Sequence, residues 1–122
     1  MNLKTERNLE AFFGMIGVRN VQIQPCIELV ENAVRIFVEV RNDRVVLTVA
    51  ISADEASRAT VLAALTGRWS IDRTYGVPLR VFAASSYLFV SSALPEDCDA
   101  SIWLRTFRVL RRLVDSYERG DE

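Results

Sequence analysis

Four aliphatic residues at alternate positions constrain the fold of this chain more than any other feature of its sequence. They are Val34, Ile36, Val38 and Val40. Successive side chains of a β-strand point to opposite faces of the sheet, so this spacing predicts a strand with one buried and one solvated face. The residues between them are charged, except for Phe37, which interrupts the polar face.

Neighbouring segments extend this strand into a sheet. Ile27 and Leu29 share one face of a preceding strand, and the almost wholly apolar run 45–51 predicts a following strand at the centre of the sheet. Asn42-Asp43 suits the turn between the last two, because both residues tolerate a positive φ. The sequence therefore predicts a three-stranded antiparallel meander.

Helical patterns close both ends of the chain and interrupt its middle. Apolar residues at helical spacing predict a first helix over about 3–16, which Gly17 can end in a left-handed conformation. Residues 52–55, Ser-Ala-Asp-Glu, match a capping box, so an alanine-rich second helix is predicted over about 53–65. An apolar stripe with arginines on its outer side predicts a last helix over 102–117.

A second hairpin, with strands 79–83 and 87–91 around Ser85-Ser86, lies between the last two helices. The predicted order is therefore α-β-β-β-α-β-β-α, an α+β fold with an antiparallel sheet packed by helices. A chain of 122 residues has room for one hydrophobic core. We expect residues 1–122 to form a single domain.

The residue type that enzymes use most often for acid–base chemistry is absent from this chain. It contains no histidine, which removes Ser-His-Asp and Cys-His systems and nearly all zinc and haem sites. Its five glycines form neither of the common nucleotide-binding loops. The start of a helix explains Glu96, Asp97 and Asp99 better than a metal or acid–base cluster does. We expect no enzyme, catalytic residue, metal or cofactor, although carboxylates brought together from distant positions stay open.

Charge and hydropathy narrow the possible partners. A net charge of −1 lacks the broad positive field of non-specific nucleic-acid binding. A solvated helix face explains the arginines of the last helix better than a phosphate site does. No apolar run approaches the roughly 18 residues that span a bilayer, and the charged N-terminus is unlike a signal peptide. Cys26 and Cys98 form no disulfide framework, which fits a reducing cytoplasm.

Apolar residues make up 50% of the chain, at the top of the usual range. Either the core is well filled, or part of the apolar surface remains open to a partner, and composition alone leaves both explanations standing.

With this order of elements, the sequence resembles the class I type III secretion chaperones, the Tir-chaperone-like family. Each match is a pattern of apolar residues, and the matches cover nearly the whole chain in order. They are the opening helix 8–18 with its Gly-Val step, the meander 27–51, the run 61–65 similar to L-x-x-L-L, residues 76–79 leading into the L-x-L-x-x-x-L-P-like passage 87–95, and the closing helix 102–117.

The resemblance implies a bacterial cytoplasmic homodimer that serves virulence-associated secretion. Such a chaperone binds the extended N-terminal segment of a secreted effector and keeps it non-globular. The family dimerises through its second helix and the following strand, which correspond here to Val61, Leu62, Leu65, Trp69 and Ile71. Grooves of the first helix and the meander take effector side chains, and the corresponding candidates are Phe12, Phe13, Ile16, Ile27, Leu29 and Phe37.

Several alternatives stay open at this point. The family is usually more acidic than this chain, so the partner can be an effector, or a structural or regulatory component of the export machinery. A YbjN-like protein-interaction or regulatory module would share the fold. A small carboxylate enzyme would show a polar pocket with convergent acids, and a nucleic-acid binder would use the arginines of the last helix. Phe37 itself can equally be a lone exposed aromatic side chain.

Overall fold

A computed structural model of the chain describes residues 2–42, 44–53, 79–95 and 98–118, with side chains up to residue 115. The predicted second helix and the stretch 67–78 lie outside these residues, apart from Ala53. The helices and strands are α1 (Leu3–Met15), β1 (Cys26–Glu31), β2 (Val34–Arg41), β3 (Arg44–Ser52), β4 (Arg80–Ala84), β5 (Tyr87–Ala93) and α2 (Ala100–Glu118).

The five strands form one antiparallel sheet in the order β1-β2-β3-β5-β4. The predicted meander is confirmed, and β3 is the central strand. Three turn residues take a positive φ, namely Asn32, Asn42 and Ser85. Asparagine is common at such positions, because its short polar side chain bonds the nearby backbone. The α+β class, with an antiparallel sheet packed by helices, is confirmed.

Both ends of α1 follow from its sequence. The side chain of Asn2 accepts a hydrogen bond from the backbone N–H of Thr5 at 2.8 Å, which caps the first turn. At the other end Gly17 has a φ of +79°, and the N–H of Val18 donates to the carbonyl of Phe13 at 2.9 Å. This geometry is that of a Schellman motif, where glycine is favoured because it has no Cβ. The prediction that Gly17 ends the helix is confirmed.

The last helix begins at a cap from the predicted acidic group. The carboxylate of Asp99 accepts a hydrogen bond from the N–H of Ser101 at 3.0 Å. Glu96 and Asp97 lie outside the described residues. The apolar stripe of α2 then packs on α1, where the ring of Phe12 meets Trp103 and Phe107 edge-on at centroid distances of 6.2 and 5.7 Å. Such pairs stabilise beyond the area they bury.

One hydrophobic core joins the two helices to the sheet. Its strand residues all point to the same side of the sheet, and we call this side the inner face. They are Ile27, Val34, Ile36, Val38, Val45, Leu47, Val49, Ile51, Leu88 and Val90. Within the part of the chain that the structure describes, both helices therefore pack on the inner face, and the opposite side, the outer face, carries neither of them.

Candidate functional site

The outer face carries four aromatic side chains from three strands. We call Phe37, Phe82, Tyr87 and Phe89 the aromatic cluster. Phe82 and Phe89 are stacked with a centroid distance of 5.0 Å and an interplanar angle of 11°. Phe37 and Tyr87 lie 6.4 and 6.2 Å from Phe89. Phe89 is thus the centre of a continuous apolar surface.

This cluster remains open to solvent although its rings contact one another. Phe82 is 40% exposed, and the other three are half-buried. Two guanidinium groups face its rings: the Cζ of Arg35 lies 4.9 Å from the centroid of Tyr87, and that of Arg80 lies 6.0 Å from Phe82. Cations over aromatic faces are attracted by the ring quadrupole. The cluster is therefore an apolar surface with arginine side chains at its rim, one of which is paired with Glu28 at 3.5 Å.

Small residues form the floor beside the cluster. Thr48 and Ser91 are buried, and the threonine hydroxyl donates to the serine hydroxyl at 3.0 Å across β3 and β5. Because these side chains are short, a shallow hollow of about 250 Å³ opens between the larger neighbours. Its lining residues are Glu39, Arg41, Val46, Thr48, Arg80, Phe82, Ser91 and Ala93.

In the described sheet, β1 and β4 are the edge strands. An edge strand has backbone amides and carbonyls that face away from the sheet, and an extended peptide can pair with them. β4 is exposed along most of its length and brings Phe82 to the side of the open hollow. The aromatic cluster and a pairing edge therefore lie next to each other.

The six residues predicted to contact an effector fall into three groups. Phe12, Phe13 and Ile27 are buried in the core. Ile16 and Leu29 are half-buried and pack against that core. Phe37 is on the outer face, so the six do not line one groove. Their contact with an effector stays a prediction.

The structure shows that Phe37 is not isolated, and it identifies neighbouring aromatic residues that the sequence analysis missed. Phe37 is not a lone exposed aromatic, because Phe89 of β5 lies beside it. Phe82, Tyr87 and Phe89 were not singled out from the sequence. The available signal was the alternate placement of 87 and 89 in one predicted strand, with an aromatic at 82 in the paired strand.

The residues predicted for the dimer interface are not described by the structure. All five lie between residues 54 and 78: Val61, Leu62, Leu65, Trp69 and Ile71. The homodimer therefore stays a prediction.

Among the described residues, the cysteines and carboxylates are the candidate metal ligands and nucleophiles. Cysteines and carboxylates in this part of the chain form no group suited to holding a metal ion. The thiol of Cys98 donates to the carbonyl of Pro95 at 3.0 Å and accepts the indole N–H of Trp103 at 3.2 Å. Burial raises the pKa of this thiol, against the indole hydrogen bond, which lowers it. The Cys98 thiol thus bridges the carbonyl of Pro95 and the indole of Trp103 in α2.

Comparison with solved structures finds eight similar chains, and two of them are described here. A chain in the crystal structure of the ExsC–ExsE complex matches with a TM-score of 0.73 and 14% identity, covering 98% of this chain and 96% of that one. YbjN from E. coli, described as a candidate transcription regulator, matches with a TM-score of 0.61 and 9% identity, covering 93% and 92%. At these identities the likeness establishes the fold.

The fold and the family comparison together confirm the predicted resemblance to the type III secretion chaperones. The family model described as SsaM matches residues 2–117, and the chain belongs to the SsaM family. A search of curated proteins gives no significant match. Neither described helix is long and apolar enough to cross a membrane.

Proposed function

We propose that this protein is a cytoplasmic type III secretion chaperone. It binds the extended N-terminal region of a secreted effector or export component, stabilises it and keeps it competent for secretion. One observation carries the proposal: an aromatic cluster on a sheet face without a helix in the described part, beside an exposed edge strand. Membership of the SsaM family supports the same role and favours it over a YbjN-like regulatory module.

The geometry suits an extended chain better than a folded partner surface. A peptide along β4 pairs its backbone with the strand edge and turns alternate side chains toward Phe82 and the neighbouring hollow. Apolar side chains of the partner then lie on the aromatic cluster instead of forming a core of their own. Binding in this manner uses contacts alone and consumes no nucleotide.

The predicted effector contacts take different roles in this proposal. Phe37 contacts the partner as part of the aromatic cluster. The buried Phe12, Phe13 and Ile27 hold α1 and β1 against the sheet, because core side chains cannot meet a partner without unfolding. Ile16 and Leu29 lie at the margin of the core, away from the aromatic cluster.

The test compares two exposed apolar residues that are changed to the same acid. Phe82→Asp puts a carboxylate into the aromatic cluster, whereas Leu3→Asp makes the same change on α1, where Leu3 is 59% exposed. Tagged wild type is captured from its native host, and the co-purifying protein is identified by mass spectrometry. We expect Phe82→Asp to lose this partner and Leu3→Asp to retain it.

A second readout follows the bound segment itself. Limited proteolysis of the complex should leave the N-terminal region of the partner protected by the wild type and cleaved with Phe82→Asp. Equal protection by Phe82→Asp and the wild type would contradict a role for the outer face. Protection of a folded domain, instead of an N-terminal segment, would contradict the chaperone function.

Homodimerisation is a separate part of the proposal. We expect the purified protein to have the mass of a dimer by light scattering, and Leu62→Asp to give a monomer, because an unpaired charge would be buried at the interface. A wild type that remains monomeric at all accessible concentrations would contradict the dimer while leaving the outer face open to a partner.

A further inference from the structure

Strand β4 carries two exposed side chains of different chemistry on the outer face. Arg80 and Phe82 are two positions apart, so both point to the same side of the sheet. They pair with Ser91 and Phe89 of β5. Within the described sheet β4 is an edge strand, and its other side faces no further strand. A segment that added to this edge would place its own side chains directly beside Arg80 and Phe82.

Arg80 has a positive charge without a carboxylate partner among the described residues. The hollow beside it has one acidic residue among its described lining residues, Glu39. That carboxylate already accepts hydrogen bonds from Nη2 and Nε of Arg41, at 2.7 and 3.1 Å. Glu39 and Arg41 therefore compensate each other, whereas the charge of Arg80 remains uncompensated within this part of the chain.

The aromatic contact of Arg80 leaves its guanidinium group available. Its Cζ lies 6.0 Å from the ring centroid of Phe82, at the outer limit of cation–π attraction. Arg35, the other arginine at the rim of the aromatic cluster, lies 4.9 Å from the ring centroid of Tyr87 and pairs with Glu28 at 3.5 Å. Arg80 is an exposed residue, so the carboxylate of a partner can reach it.

Phe82 adds an apolar contact beside this charge. Its ring stacks on Phe89, yet 40% of the residue stays exposed. Side chains directly opposite each other on neighbouring strands have Cβ atoms about 5 Å apart, and aromatic residues form stabilising pairs there with aromatic or β-branched residues. A large apolar side chain opposite Phe82 would therefore cover part of the exposed ring.

The spacing of the two contacts limits which segments can make both of them. Side chains of an extended chain alternate between the two faces of the sheet. The partner residues opposite Arg80 and Phe82 are therefore separated by one residue, in whichever direction the partner strand runs. A carboxylate suits the position opposite Arg80, because it forms charge-assisted hydrogen bonds with a guanidinium group, whereas a like charge there would be destabilising.

We propose that the outer face selects, along β4, a partner segment in which an acidic residue and a large apolar residue are separated by one residue. The acidic side chain pairs with the guanidinium group of Arg80, and the apolar side chain packs on the ring of Phe82. This inference rests on the proposed function, because it names two side chains of the extended segment that the chaperone holds.

The test uses a random peptide library displayed on phage, selected on the full-length wild type. Selected peptides are synthesised with a fluorophore and titrated against the wild type and its variants. Arg80→Glu and Phe82→Ala change the proposed contacts. Arg108→Glu and Leu3→Ala are their matched controls, because Arg108 and Leu3 are also exposed but belong to the two helices, which pack on the inner face.

We expect the selected peptides to be enriched in Asp or Glu two positions away from a large apolar residue. Arg80→Glu should weaken their Kd about tenfold, because it replaces an attraction by a repulsion, and Phe82→Ala should weaken it about fivefold. Both controls should leave the Kd within about twofold. Raising the salt concentration should weaken binding to the wild type.

Changes in the peptide provide a check that does not depend on how well a variant folds. A peptide with lysine in place of its acidic residue should bind Arg80→Glu more tightly than it binds the wild type. Inserting one residue between the acidic and the apolar residue should remove the sensitivity to Arg80→Glu, because the acidic side chain then points to the other face of the sheet. Sensitivity that survives this insertion would overturn the proposed register.

The outcomes also separate this inference from the proposed function. Peptides that lose affinity with Phe82→Ala but not with Arg80→Glu would overturn the selection of an acid and leave the chaperone proposal intact. Self-association that Phe82→Ala abolishes, without peptide binding, would assign β4 to a second copy of the chain and overturn the inference. A wild type that enriches no peptide would also overturn it, whereas the proposed function is tested by capture of the partner from the native host.

Discussion

The two faces of the sheet are supplied by the same strands, yet they are covered very differently. On the inner face Val38 and Val49 are fully buried beneath the helices, whereas Phe82 on the outer face keeps 40% of its surface exposed while it stacks on Phe89. The alternation at 34–40 already predicts that the aliphatic face is the sealed one. The difference teaches that α1 and α2 cover this face, whereas the aromatic rings of the other face stay partly exposed.

The two faces of the sheet also differ in amino-acid composition. The core residues of the inner face are Val, Ile and Leu, and the buried Ser92 lies beside Leu47 on the same face. The outer face mixes aromatic rings with arginines and with the short side chains of Thr48, Ala50 and Ser91. Short residues leave room above the strand backbone, and rings beside them offer a large apolar area. A surface of this kind is suited to contact with another chain.

The largest effect on stability is expected in the core between the helices and the inner face. Phe12→Ala removes a fully buried ring that contacts Phe13, Trp103 and Phe107. We expect the free energy of unfolding to fall by about 3–5 kcal/mol, because the helices cannot collapse fully into the cavity. Urea denaturation followed by circular dichroism measures this change. A loss below about 1 kcal/mol would mean that α1 is not a required cover for the sheet.

A smaller effect on stability is expected at Thr48 and Ser91, which form the floor of the hollow on the outer face. Thr48→Val removes the hydroxyl that donates to Ser91 and leaves a buried serine hydroxyl without its partner. We expect a loss of about 1–3 kcal/mol. The double variant Thr48→Val/Ser91→Ala should recover most of it, because no unpaired polar group remains. A denaturation cycle in which the two losses simply add would show that the hydroxyls are independent.

The smallest effect is expected in the aromatic cluster itself. Phe82→Ala should cost about 1 kcal/mol or less, since it loses the stack on Phe89 from a ring that is already partly in water. The ratio of the stability loss in Phe82→Ala to that in Phe12→Ala measures how differently the two faces are buried. Equal losses from Phe12→Ala and Phe82→Ala would mean that both faces are sealed in solution, for example by self-association at the outer face.

Much of the fold could be predicted because local patterns agree with it. The alternation at 34–40 predicts β2, and the apolar run 45–51 predicts the central strand. Gly17 ends α1 with the positive φ that glycine tolerates, and the second hairpin turns at Ser85. These signals are short-range: each depends on residues within one turn or one strand.

The candidate surfaces were less accessible to prediction because they depend on long-range pairing. Phe37 and Phe89 are far apart in sequence and meet only because β5 pairs with β3 on the far side from β2. Phe12, Phe13 and Ile27 appeared in the sequence as candidate contacts, but docking of the helices buried them.

By itself, the sequence determined the positions of the described strands and terminal helices and the absence of histidine chemistry, because periodicity and composition are properties of neighbouring residues. Only the tertiary structure decided which aromatic rings met on the outer face and which candidate contact residues were buried in the core. These outcomes depend on strand register and helix docking, which bring together residues from opposite ends of the chain.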